Sequence, residues 1–228
     1  PELEDIPQCD YLIIAGDTAP VWLDHDIFTQ CLWFAQRYKP FEDKCLDSGK
    51  VAKGIYMIGG NHDFICETSH FKRWFRNYFR TIYVQDALFS MEDIQCYGTP
   101  WVPKLERWAF YGDNNKLTNA YSLIPDDLDI VVTHGPPYSI NDGVYTRNMY
   151  EHVGSKELLN QFGKMVESGT APKVNIHGHI HEGYGLKIPG KFKLSDALEI
   201  DLDDMKFYNV SHCNRVYDPV NPLVEIEL

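Results

Sequence analysis

The chain has 228 residues, 44% of them hydrophobic and 14% aromatic, enough to bury one large core, so a single domain over 1–228 is the expectation. Its formal net charge of −12 disfavours nucleic acid as a bulk partner, because such binding needs Lys and Arg to displace counterions; an anionic substrate would have to be met by local positive charge such as divalent cations. No apolar run approaches the roughly 20 residues of a membrane span, no secretory leader is visible, and six cysteines without a C-x-x-C pair fit free thiols in a reducing, cytoplasmic setting.

In chain order, residues 11–15 form a strand-like run that ends at Gly16-Asp17. Asp24-His25-Asp26 reads as a capping run ahead of a helix, which the spacing of Ile27, Cys31, Phe34, Ala35 and Tyr38 predicts over 27–38, with Pro40 as its stop. Residues 55–58 predict a strand ending in Gly59-Gly60-Asn61-His62-Asp63, followed by a helix over 69–79 capped by Ser69. Strands at 87–90 and 94–98 are joined by a turn at 91–93. Trp101, Trp108, Phe110 and Tyr111 read as loop packing, with stacking on a nucleobase or aryl group as the alternative. Residues 129–132 run into Thr133-His134-Gly135-Pro136-Pro137. Ser155 caps a helix over 154–168 with Leu158, Leu159, Phe162 and Val166 on one face. Residues 174–176 lead into His177-Gly178-His179-Ile180-His181, and strands at 206–210 and 223–228 close the chain.

Strands alternating with helices argue an α/β protein, in which functional groups gather beyond the carboxyl ends of the strands. Four strand ends carry a polar cluster here. Asp17 alone could be a turn residue, and His134 alone a structural histidine. Asn61 can offer a neutral carbonyl oxygen to a metal, while His62 can point elsewhere, toward a leaving group. His177, His179 and His181, at i, i+2 and i+4, would share one face if the chain stays extended; His177, set further back, reads as a core or supporting residue. Carboxylate, amide oxygen and imidazoles together suit a pair of divalent cations, which hydrolyse phosphate esters by lowering the pKa of a bound water to give hydroxide and by clamping the reacting oxygens.

The ordered set Gly16-Asp17, Gly60-Asn61-His62-Asp63, His134-Gly135 and Gly178-His179-Ile180-His181 resembles the calcineurin-like metallophosphoesterases, whose signature is D-x-H, G-D, G-N-H-[DE], an isolated His and G-H-x-H. Four of the five blocks are present, across nearly the whole chain. The stretches 133–138 and 177–185, with 98–101 and 209–222, look like the small metallophosphoesterase-domain subgroup, similar to class III cyclic-nucleotide phosphodiesterases. This resemblance implies a four-layer α-β-β-α sandwich. It implies that Asp17 bridges two metals (Mn, Fe or Zn), that Asn61, His134 and His179 hold the second and His181 the first, and that His62 serves the leaving oxygen with Asp63 orienting it. Nothing upstream of Asp10 matches D-x-H, so the first strand and its motif are expected to be missing from the 228 residues. A small phosphate ester, with nucleotides among the candidates, is the expected substrate. A non-catalytic metal-binding or regulatory protein on the same scaffold is the other reading. Substrate-contacting residues and oligomeric state are left unassigned, with specificity expected in the loops around 101–111 and 140–150.

Overall fold

A computed structural model describes residues 5–23, 25–103, 105–146, 149–187, 191–195 and 198–227. The chain opens with β1 (Cys9–Ile14), then α1 (Ile27–Trp33), a π-helical turn over Phe34–Tyr38, and α2 (Lys39–Asp47). Next come β2 (Val51–Met57), a 3-10 turn at Phe64–Glu67, α3 (Phe71–Tyr78), β3 (Ile82–Tyr83), β4 (Ala87–Met91), β5 (Ile94–Thr99), β6 (Val102–Pro103) and β7 (Tyr111–Gly112). The second half holds α4 (Asn114–Tyr121), β8 (Ile130–Thr133), β9 (Gly143–Thr146), β10 (Met149–His152), α5 (Lys156–Ser168), β11 (Val174–His177), β12 (Gly185–Lys187), β13 (Lys191–Ser195), β14 (Leu198–Asp201) and β15 (Lys206–Asn209).

Two sheets dominate. One is parallel, in the order β1-β2-β3; the other is mixed, in the order β12-β15-β11-β8-β5-β4. Side chains alternate across each strand, and the two faces go to different cores. Tyr11, Ile13, Tyr56 and Ile58 from the first sheet meet Ile130, Val132, Val174 and Ile176 from the second, which fills the gap between the sheets. The opposite face of the first sheet packs on α1, the π turn and α3 through Met57, Phe34, Phe71 and Phe75. The opposite face of the second packs on α4 and α5 through Val131, Leu117, Tyr121, Leu158 and Phe162. Three stacked cores between four layers make the α-β-β-α sandwich that the sequence led one to expect.

Several elements differ from expectation. Pro40 does not stop the helix: the helical chain runs on to Asp47, with Pro40 in the first turn of α2. The wide turn before it lets Lys39 N–H reach back to the Phe34 carbonyl, and this local widening makes room for the proline ring, which in a regular α-helix would clash with the carbonyl four residues back. Ser69 is not a cap; α3 starts after His70, which gives no side-chain hydrogen bond. No strand forms over 223–227 among the described residues; instead Leu223 and Ile226 lie against the cores without a ladder. Other signals hold. Asp26 Oδ1 accepts from Phe28 and Thr29 N–H at the head of α1, and Ser155 Oγ accepts from Leu158 N–H at the head of α5. All six cysteines are unpaired. Among the described residues no helix is long and apolar enough to cross a membrane.

Candidate metal centre

The loops after β1, β2, β8 and β11 leave the same edge of the sandwich and meet. His134 follows β8 and is 1% exposed. Its Nδ1 lies 2.8 Å from the Ala15 carbonyl oxygen, which can only accept, so Nδ1 carries the hydrogen and Nε2 is left with a lone pair. That Nε2 stands 2.9 Å from Asn61 Oδ1 and 3.3 Å from Asp17 Oδ2. His179 joins them: ligand atoms of Asp17, His134 and His179 all lie within 4.8 Å of one another. Three electron-pair donors facing one another, with Asn61 oxygen beside them, repel unless a proton or a cation sits between. The residues present therefore fit a divalent ion, and the donor types suit Mn, Fe or Zn alike.

Two of these donors are held in strained backbone. Asp17 has φ 53° and His179 φ 67°, the left-handed region that non-glycine residues avoid. Such strain is retained where surrounding bonds over-determine it. Here Asp17 Oδ1 accepts His62 N–H at 2.9 Å, and Gly178 N–H donates to the His134 carbonyl at 2.9 Å, tying the loops together. Because His179 turns left and residues 181–183 begin a 3-10 turn, His177, His179 and His181 do not share one face. The extended run ends at His177. That residue points into the helix-side core, its Nδ1 2.8 Å from Asn175 Oδ1, and burial alone pulls its pKa down to about 3.

Electrostatics match a cation site. Burial opposes ionisation of Asp17, yet the His134 ring, with His62 and His179 beyond it, holds the carboxyl well below the usual carboxylate range. Burial pulls His134 down, but Asp17 and the Ala15 carbonyl outweigh it, so its pKa is raised. His179 is pulled down to about 3 by burial and by His134, which keeps its imidazole neutral and able to ligate.

His62 sits beside this group with Nε2 3.9 Å from Asp17 Oδ2. Trp108 meets its ring edge-on at 4.4 Å between centroids, and Tyr217 stands 6.3 Å away. Burial lowers its pKa against the opposing pull of Asp17. Asp63 does not orient it. The Asp63 oxygens are taken by Ala19 N–H at 2.7 Å, Gly60 N–H at 2.8 Å and Thr18 N–H at 3.2 Å, so this buried carboxyl knots the first loop to the second. Burial and the neighbouring Asp17 push it up to about 7 against those amides. His181 lies near His62 and His179, where its charge would lower both, but it is not one of the tight group with Asp17, His134 and His179. Its Nδ1 is 2.8 Å from the Asn214 carbonyl oxygen, leaving Nε2 as the free lone pair.

Several residues around the centre have supporting roles that the sequence did not assign. Gln30, fully buried on α1, donates to the His62 carbonyl at 2.8 Å and accepts from Ile65 N–H at 3.0 Å. A glutamine on the apolar stripe of a helix was the available signal. Asn209 donates from Nδ2 to the Ile180 carbonyl at 2.8 Å and the Asn141 carbonyl at 3.3 Å, bracing the loop between His179 and His181. Trp101 belongs to packing: its Nε1 donates to Asp86 at 3.0 Å and Lys116 Nζ covers its ring at 4.0 Å.

A four-layer sandwich with a carboxylate, an amide and imidazoles converging at one sheet edge defines a metal-binding α/β protein of the phosphoesterase type. The calcineurin-like phosphoesterase family model matches residues 2–183, and the chain belongs to that family. It is 34% identical over 148 residues to metallophosphoesterase domain-containing protein 1 of Homo sapiens, a match that covers 64% of this chain and 40% of that protein. A UPF0046 protein of Caenorhabditis elegans is likewise 34% identical over 148 residues, covering 64% of this chain and 32% of its own. The matched stretch is thus well under half of these curated relatives. One solved structure superposes with a TM-score of 0.55 over 90% of this chain and 80% of its own, at 14% identity, a likeness of fold alone.

Proposed function

We propose that the protein hydrolyses phosphate esters at this centre. The observation that supports it best is the set of facing lone pairs on Asp17 Oδ2, Asn61 Oδ1 and His134 Nε2, with His179 alongside. Asp17, Asn61, His134 and His179 would hold one cation, and Asp17 with His181 a second. Bound divalent cations would supply positive charge for the phosphoryl oxygens and acidify an attacking water. On an acidic chain, that charge also answers how an anionic substrate is drawn in.

The chain's own residues do the rest. The Asp17 carboxylate, held ionised, faces the centre through Oδ2 while His62 N–H fixes Oδ1. The His62 ring, pinned by Trp108 and by the Gln30 bond to its carbonyl, hands a proton to the leaving oxygen. Its lowered pKa makes the protonated ring a stronger acid, at the cost of a smaller protonated fraction. The natural substrate is taken to be a small phosphate ester, with nucleotides as one class among several.

The test is metal analysis with hydrolysis of bis(p-nitrophenyl) phosphate in added Mn²⁺. His62→Ala should keep the metal and lose about 10²–10⁴ in turnover, whereas His134→Ala should lose both. A metal-loaded wild-type chain with no hydrolysis of this diester or of an aryl monoester would sink the enzymatic reading in favour of a binding or regulatory role.

A further inference from the structure

After β15 the chain returns to the metal centre as a closed turn over residues 214–218. Asn214 N–H donates to the Asp218 carbonyl at 2.8 Å, and Tyr217 N–H donates to the Asn214 carbonyl at 2.9 Å. Asn214 Oδ1 accepts Val216 N–H at 2.9 Å and Asp218 N–H at 3.0 Å. The Asn214 carbonyl oxygen is also the partner of His181 Nδ1. One turn therefore fixes both the His181 imidazole and the position of residue 217. Asn221 anchors the segment from outside the turn, its Nδ2 donating to the Ser211 carbonyl at 2.8 Å.

Within the turn Tyr217 is held at φ 65°, the left-handed region that a bulky side chain avoids. Strain of this kind persists where the surroundings over-determine it, and it clusters at functional sites. Core packing does not account for it, because Tyr217 is 50% exposed. The strained backbone instead sets the ring against the centre. It meets the His181 ring edge-on at 5.1 Å between centroids and the His62 ring at 6.3 Å. Among the described residues the Tyr217 hydroxyl has no hydrogen-bond partner. Burial raises the pKa of this phenol first, and Asp17 is the next cause, ahead of Cys213 and Glu182. The oxygen therefore lies toward Asp17 and keeps its hydrogen, which makes it an unused donor beside the candidate cation site.

We propose that the Tyr217 hydroxyl donates a hydrogen bond to a non-bridging phosphoryl oxygen of the bound ester. The proposal rests on the phosphoesterase reading and adds to it a substrate contact from the C-terminal turn. The ring lies nearer His181 than His62, on the cation side of the centre rather than the leaving-group side. That placement gives Tyr217 a phosphoryl oxygen and leaves the leaving oxygen to His62. The acceptor is anionic, so the bond is charge-assisted, and the proton stays on the phenol throughout. A ring that only supported His181 would need no hydroxyl, and phenylalanine would serve as well.

The experiment compares wild type, Tyr217→Phe and Tyr217→Ala, each loaded with Mn²⁺ and checked for metal content. Two quantities are read: the calorimetric dissociation constant of inorganic phosphate, and kcat/KM for bis(p-nitrophenyl) phosphate. Tyr217→Phe should keep its metal, yet weaken phosphate binding and lower kcat/KM by about 10–100-fold each, the range for a hydrogen bond to a charged group. Tyr217→Ala should lose at least as much, and Tyr78→Phe on α3 should change neither. The inference is overturned if Tyr217→Phe binds phosphate as wild type does, whatever alanine does, because ring packing then suffices. Loss of metal in Tyr217→Phe also overturns it, since the residue would then act through His181, and so does a metal-loaded wild type that does not bind phosphate. A wild type that hydrolyses nothing would sink the phosphoesterase reading, while the phosphate affinities would still decide this contact. Intact hydrolysis with Tyr217→Phe equal to wild type would sink the contact alone.

Discussion

Gly60 illustrates how little freedom the centre has at the level of single atoms. A Cβ built on it would stand 2.3 Å from both Asp17 N and Asp17 Oδ1, and 2.6 Å from His134 Cε1. Gly16, at φ +92°, is equally confined, with His134 Nδ1 2.4 Å from a built Cβ. Neither neighbour can yield without giving up the Asp17 or His134 position. Gly60→Ala is therefore expected to cost about 3 kcal/mol, the upper range for overpacking, and to abolish metal binding in a titration monitored by calorimetry. Gly49→Ala is the comparison: its φ is +73° but nothing lies within 4 Å, so strain alone should cost about 1–2 kcal/mol and spare the metal. Equal losses in urea unfolding, or retained metal affinity in Gly60→Ala, would contradict the close-approach account. At this scale the sequence was informative where the residue type itself carried the chemistry, as for Asp17, Asn61, His134 and His179. It assigned no role to Asn214, Tyr217 and Asn209 within the stretch 209–222, because their contacts span 33, 36 and 29 positions and leave no local pattern.

Among the elements, the loop after β11 depends on its neighbour β15. Asn209 is fully buried, and its Nδ2 spans the Ile180 and Asn141 carbonyls while its Oδ1 accepts Ser211 N–H. Asn209→Ala should weaken metal binding by about 10–100-fold, the usual cost of losing a support behind a ligand. Asn209→Asp should be worse than Ala, because it sets a carboxylate oxygen against two carbonyls; metal titration of both variants decides the order. The far ends of the strands are stapled by Asp129, which accepts Lys173 Nζ at 2.8 Å and Gln95 N–H at 2.9 Å and so joins the starts of β5, β8 and β11. The Lys173 bond chiefly holds the Asp129 pKa below 3.8. A carboxyl more acidic folded than unfolded stabilises the fold above its unfolded pKa, and that stabilisation fades as pH falls through the folded value. Asp129→Asn should accordingly flatten the loss of melting temperature below pH 3.8 relative to wild type; identical slopes would refute the staple. Strong periodicity and caps made α1 and α5 readable. The β9–β10 hairpin and the continuation through Pro40 were not, since the paired strands are mostly exposed and so carry no apolar alternation, and the continuation rests on a π turn that no residue spacing marks.

Across the whole molecule, the centre joins the two sheets. Asp17 and Asn61 come from loops of the parallel sheet, His134 and His179 from loops of the mixed one, and the interface between them is otherwise apolar packing from Tyr11, Tyr56 and Ile58 against Ile130, Val132 and Ile176. A cation held by all four would therefore bridge the layers and bind only when both are assembled. Ligand that binds the native state alone stabilises it by about 2.7 kcal/mol at a hundred times its dissociation constant, which for a chain of this size raises the melting temperature by about 5–10 °C. Mn²⁺ or Zn²⁺ should give such a rise in wild type, with EDTA reversing it. His134→Ala should abolish the rise, because it removes the lone pair that faces both Asp17 and Asn61. Hydrogen exchange adds the spatial signature: protection on metal addition should increase in β1 and β2 together with β8 and β11, while α2, remote from the bridge, changes little. Protection confined to one sheet would mean that the cation does not span the layers, and the four-ligand assignment would have to be abandoned.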